Sequence, residues 1–140
     1  MRVQRVLMPG SGAESWTVPD DDLSLVEPVG RVLDGIDIAA PEVPVYANAN
    51  AMVHEPDPLA LRRALSMQIA EPVRFVEMVE AMYAAGARTF VEVGPGSVLS
   101  GLVGAILGDR PHAVVSLDRR NRDGVESLLL ALARLAANGL

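Results

Sequence analysis

From residue 41 onward, short β-branched runs alternate with longer stretches whose apolar residues recur at helical spacing, whereas residues 1–40 hold no sustained period. Ile36 to Ala40 leads into the first clear strand, Val43 to Ala47. Asp57 followed by Pro58 supplies a cap and a first-turn proline ahead of Leu61, Leu65 and Ile69, which predicts a helix. Pro72 restarts a helix with Val73, Val76, Val79 and Met82 on one face, and Gly86 closes it as a left-handed cap. Arg88 to Val93 reads as a strand, which Gly94-Pro95-Gly96 turns sharply into a helix over Ser97 to Leu107. That helix carries Leu99, Leu102, Val103 and Ile106 at helical spacing. His112 to Leu117 is a further strand. Asp123, with Glu126 three residues on, opens a last helix to Asn138 in the manner of a capping box. Its apolar side is Val125, Leu128, Leu129, Leu132, Leu135 and Ala136.

Ahead of this regular part, Arg2 to Met8 has the composition of a strand and Pro9 to Asp22 that of a long acidic loop. Leu23 to Leu33 holds a short helix around Val26, Val29 and Leu33. The expected organisation is an irregular segment over 1–40 and an α/β domain over 41–140. Strands alternating with helices imply βαβ units, hence a small three-layer α/β domain whose parallel sheet of three or four strands is flanked by helices. Parallel sheets need both faces covered, so few strands imply a partner surface or an exposed edge.

Composition narrows the function classes. The chain has 140 residues, half of them apolar and 21% charged, which fits one folded domain and excludes disordered, collagenous and coiled-coil classes. Net charge is −6, and all 12 cations are arginine. That balance argues against nucleic acid and anionic membranes as partners. Arg119, Arg120 and Arg122, beside Asn121, form a short basic patch that reads as a solvated loop. Without cysteine there is no disulfide, thiolate metal site or cysteine nucleophile. The first ten residues are too short for a signal-peptide core, and no run approaches the ~20 apolar residues of a membrane span. A soluble cytoplasmic protein is expected, and Met1 favours a separate start.

Candidate chemistry is sparse. Gly94-Pro95-Gly96 sits where backbone amides and a helix dipole can hold an anion, but Leu99 stands where the dinucleotide fingerprint needs its third glycine, and a P-loop needs an absent lysine. A tight packing turn is the better account, and no cofactor is expected. No G-x-S-x-G elbow occurs. His54 with Glu55 and Asp57 reads as a solvated acidic loop, and His112 begins a strand; neither has metal-ligand spacing, so no metal is expected. Asp20, Asp21 and Asp22 lack the alternating spacing of a calcium loop. Met67, Met78 and Met82 read as core filling.

Three strings taken together resemble a known family: Val43-Pro44-Val45-Tyr46-Ala47-Asn48; Met67-Gln68-Ile69 with Glu71-Pro72-Val73-Arg74-Phe75; and Phe90-Val91-Glu92-Val93-Gly94-Pro95-Gly96-Ser97-Val98-Leu99. Over Pro41 to Leu117 the chain is similar to the carboxy-terminal part of the malonyl-CoA:acyl carrier protein transacylases, especially the acyltransferase domains of modular polyketide synthases. The resemblance implies part of an α/β-hydrolase-like large subdomain, from a family that moves an acyl group from coenzyme A to a carrier protein through a serine ester. The family's G-H-S-x-G elbow, its carboxylate-gripping arginine and its ferredoxin-like subdomain lie outside the matched segment. Its histidine motif, H-S-P-L-M-E-P, aligns with Asp22-Leu23-Ser24-Leu25-Val26-Glu27-Pro28, so Asp22 takes the histidine position and cannot act as an imidazole base. Gln68 matches the glutamine whose backbone carbonyl orients that histidine.

No catalytic residue is therefore assigned. The expected function is a non-catalytic acyltransferase-like module that docks a polyketide synthase subunit, an acyl carrier protein or a separate acyltransferase, with Trp16 as a plug over exposed apolar surface and homo-oligomerisation left open. The alternative is one half of a split acyltransferase completed by a partner chain. A third reading is an unrelated catalyst using His54 or His112 as a base near the turn after Val93.

Overall fold

The computed structural model describes residues 23–119 and 121–140; the strand expected over Arg2 to Met8, Trp16 and the Asp22 position lie outside the described residues. The described residues form two compact units, divided between Met82 and Tyr83.

In the first unit a 3-10 turn, Leu23–Leu25, leads into α1 (Val26–Asp34), which packs on α2 (Pro58–Met67). Asp57 caps α2 as its sequence implies, accepting from the Ala60 amide at 2.7 Å. Arg62 of α2 donates to the Ile36 carbonyl at 2.9 Å and meets the Asp34 carboxylate at 3.3 Å, tying down the end of α1.

Val43 to Ala47 does not become a sheet strand. Tyr46 makes a single antiparallel bridge with Val53, flanked by Ala47 N–H to Met52 O and His54 N–H to Val45 O, both at 2.8 Å. Pro44 has no N–H with which to extend the ladder, so the strand expectation gives way to a tight hairpin-like loop.

After α2, a 3-10 turn over Gln68–Ala70 ends at Glu71, whose extended backbone (φ −105°, ψ 148°) is what a residue before proline prefers. The next helix, α3 (Phe75–Ala84), therefore starts beyond Pro72, with its first i to i−4 bond from Met78 to Arg74 at 3.0 Å. Its buried face is Met78, Val79 and Met82, while Val73 lies outside the helix and Val76 is exposed.

The second unit is a βαβ arrangement followed by a helix: β1 (Thr89–Glu92), α4 (Val98–Leu107), β2 (Ala113–Ser116) and α5 (Gly124–Ala137). The strands pair in parallel, Thr89 opposite Ala113 through Glu92 opposite Ser116, and α4 packs on both. This is the parallel α/β architecture expected, with two strands in its sheet among the described residues. Val103, Leu107, Val115 and Ala131 form its buried centre. Arg110 closes the end of α4, donating to the carbonyls of Ile106 at 2.8 Å and Leu107 at 3.0 Å, where a cation suits the helix dipole.

In α5 the cap holds and the face does not. The Asp123 carboxylate accepts from Val125 at 2.9 Å and Glu126 at 3.1 Å. The buried positions, however, are the small Ser127 and Ala131, while Val125, Leu128, Leu129 and Leu132 are exposed. The helix approaches β2 through its narrow side chains, which places the broad leucine side elsewhere. Among the described residues no helix is long and apolar enough to cross a membrane.

Candidate functional site

The turn after β1 is the most constrained feature of the second unit. Glu92 ends the strand, and its carboxylate accepts from the amide of Leu99 at 3.2 Å, the amide of Ser100 at 2.8 Å and the hydroxyl of Ser100 at 2.6 Å. These amides belong to the first turn of α4, where backbone donors have no intrahelical partner. Gly96 adopts φ 103°, a backbone region costly for any residue with a Cβ. From the other strand, Ser116 donates its hydroxyl toward Gly96 O at 2.6 Å and Asp118 O at 2.7 Å. The Gly94-Pro95-Gly96 turn is thus held from both strands. An internal carboxylate already occupies two amides in the first turn of α4, where it competes with any external anion.

Glu92 was not singled out by its sequence setting, a strand end followed by glycines. The usable signal is an acid at a strand terminus just before a helix that lacks its own capping side chain; Ser97 precedes α4 without making a side-chain cap.

Gln68 lies in the other unit, at the junction of α2 and the 3-10 turn. Its carbonyl accepts from the Glu71 amide at 3.4 Å, and the side chain is half-buried. The position that aligns with the family's histidine, Asp22, lies outside the described residues.

The two histidines hold separate places. His54 follows the hairpin-like loop and is half-buried; desolvation lowers its pKa below the ordinary 6.5. His112 has Nδ1 2.7 Å from the Arg110 carbonyl, so that nitrogen carries the proton. Among the described residues no three histidine or acidic side chains gather as a metal site, and His54, Glu55 and Asp57 do not form one. Three serine hydroxyls are committed locally: Ser66 donates toward the Arg62 and Arg63 carbonyls at 2.8 and 3.2 Å, Ser100 to Glu92, and Ser116 to Gly96 and Asp118.

No family profile matches the chain. Among curated proteins it is 38% identical over 116 residues to polyketide synthase GfsA of Streptomyces halstedii, covering 82% of this chain and 2% of that protein. It is 43% identical over 79 residues to the malonyl CoA-acyl carrier protein transacylase of Bacillus subtilis, covering 55% of this chain and 24% of the transacylase. Among solved structures it is similar to the malonyl-transacylase of a type II polyketide synthase, determined in complex with its holo acyl-carrier protein. There the TM-score is 0.65 at 31% identity, covering 78% of this chain and 33% of that one. The chain thus spans a third or less of the length of each of these relatives.

Proposed function

We propose, on the premise that this chain belongs to the malonyl-CoA:acyl carrier protein transacylase and polyketide synthase acyltransferase family, that it is an acyltransferase-fold module of a polyketide or fatty-acid-type assembly that docks other components without transferring acyl groups itself. The observation that carries this is the commitment of three serine hydroxyls to local structure. Ser66, Ser100 and Ser116 donate to carbonyls or to Glu92 rather than to a histidine, and the whole sequence lacks a nucleophile elbow. Asp22 in the family's histidine position would remove the base as well, leaving Gln68 with a purely structural carbonyl. The partners that fit are a synthase subunit, an acyl carrier protein or a separate acyltransferase.

Intact-protein mass spectrometry after incubation with malonyl- and methylmalonyl-CoA, alone and with a carrier protein, tests this. The expected result is no acyl adduct and no transfer, together with retention of the carrier or synthase on the immobilised chain. An adduct on this chain overturns the reading.

A second reading, one half of a split acyltransferase, is supported by the 43% identity to the Bacillus subtilis transacylase over 79 residues. Mixing the chain with a serine-bearing acyltransferase portion separates the two, because a split enzyme acquires an acyl-serine on that portion only when both are present.

A further inference from the structure

We propose that a cleft in the second unit, lined by Arg119, Arg122 and Arg134, is a binding site for a phosphoryl group. The cleft has a volume of about 70 Å³, several times the ~10–15 Å³ that a cavity needs to admit one water molecule. It is built by two elements. After β2 the chain turns through Asn121, whose φ of 63° lies in the left-handed region that asparagine tolerates, and Arg122 N–H closes on Arg119 O at 3.2 Å. That turn supplies two arginines, and the last part of α5 supplies the third. The sequence offers no hint of the convergence, because Arg134 is remote from the basic run that reads as a solvated loop.

The second observation is a hydroxyl. Ser127 lines the same cleft, is 3% exposed, and its Oγ is buried without a hydrogen-bond partner among the described residues. A buried hydroxyl left unpaired is destabilising, and a ligand oxygen in the cleft would relieve it. The neighbouring Ser116 hydroxyl is already committed to Gly96 and Asp118, and buried Ala131 adds an apolar wall.

Charge selects the ligand class. The molecule is acidic overall, at −6, yet three of its 12 arginines meet here. Among the described residues the ion pair made by these three is Arg122 with Glu126 at 3.8 Å, between side chains about half exposed, which is a loose, exchangeable contact. Guanidinium groups stay charged and match phosphate geometry with paired N–H donors. Three guanidinium charges exceed what the single charge of a carboxylate balances; a phosphoryl group offers three or more oxygens and up to two charges. The site stands whether or not the docking role above is correct.

The phosphoryl group can be free phosphate or the phosphate of a nucleotide, and the test distinguishes them. The full chain, isotopically labelled, is titrated at matched ionic strength with inorganic phosphate, adenosine monophosphate and adenosine diphosphate while amide resonances are followed. The expected result is saturable shifts at Arg122, Ser127 and Ala131. Arg134→Gln, a change on an exposed residue, should weaken binding about tenfold, and Ser127→Ala several-fold with an unchanged circular dichroism spectrum. Preference for adenosine monophosphate over inorganic phosphate assigns the site to a phosphate monoester; preference for adenosine diphosphate assigns the pyrophosphate; binding of inorganic phosphate alone assigns the free ion. Shifts that track ionic strength without saturating, or that are the same in Arg134→Gln, overturn the proposal.

Discussion

Glu92 shows how one carboxylate can set a local structure. It accepts three hydrogen bonds from the first turn of α4, and charge-assisted bonds of this kind are stronger than neutral ones. Glu92→Gln keeps the size but presents an amide in place of one acceptor oxygen, so a loss of about 1.5–3 kcal/mol is expected. Ser100→Ala removes one bond and should cost about 1 kcal/mol. Urea denaturation measures both; a Glu92→Gln chain as stable as the parent would show that the turn holds itself. His54 gives a pH signature of definite sign. Burial lowers its folded pKa below 6.5, so the unfolded chain binds the proton more readily. The neutral imidazole's contribution is complete above pH 6.5 and is lost as pH falls through the depressed folded value. Denaturation midpoints measured across that window should fall less steeply with decreasing pH in His54→Gln than in the parent.

At the scale of elements, start and stop signals were more legible than faces. Asp57 and Asp123 cap the helices their positions imply, because a cap depends on a few neighbouring atoms. Asp123→Ala should therefore cost about 1 kcal/mol, read from thermal melting. Faces depend on what the rest of the chain presents. In α3 the delayed start after Pro72 and the burial of Met78 move the inward side away from Val76. In α5 the close approach of Ser127 and Ala131 to β2 leaves the leucines outside, a result that no periodicity contains. Pro44, a local signal, was outweighed in the sequence by the β-branched residues around it. Glycines within α4 offer a further check: a Cβ on exposed Gly101 would meet nothing within 4 Å. Gly101→Ala should stabilise the chain by about 0.5–1 kcal/mol through helix propensity and the lower entropy of the unfolded state. A decrease in melting temperature would mean that this side of α4 is covered.

For the whole molecule, family ancestry was written in three strings of sequence, whereas the arginine cleft depends on residues joined only by folding. Among the described residues nothing fully covers the leucine side of α5. Leu129 is 61% and Leu132 51% exposed, so these leucines contribute little to internal packing. Glu at both positions should then leave stability within about 0.5 kcal/mol of the parent, because surface changes away from caps and cores rarely do more. If α5 is part of the docking surface, the same double variant should lose retention of the carrier or synthase partner, since a charge placed in a desolvated apolar contact carries a large penalty. Urea denaturation and partner capture on the same two proteins separate the possibilities. Intact stability with lost capture places the partner on α5, lost stability would show that the leucines belong to the core, and intact stability with intact capture would move the docking surface to another face.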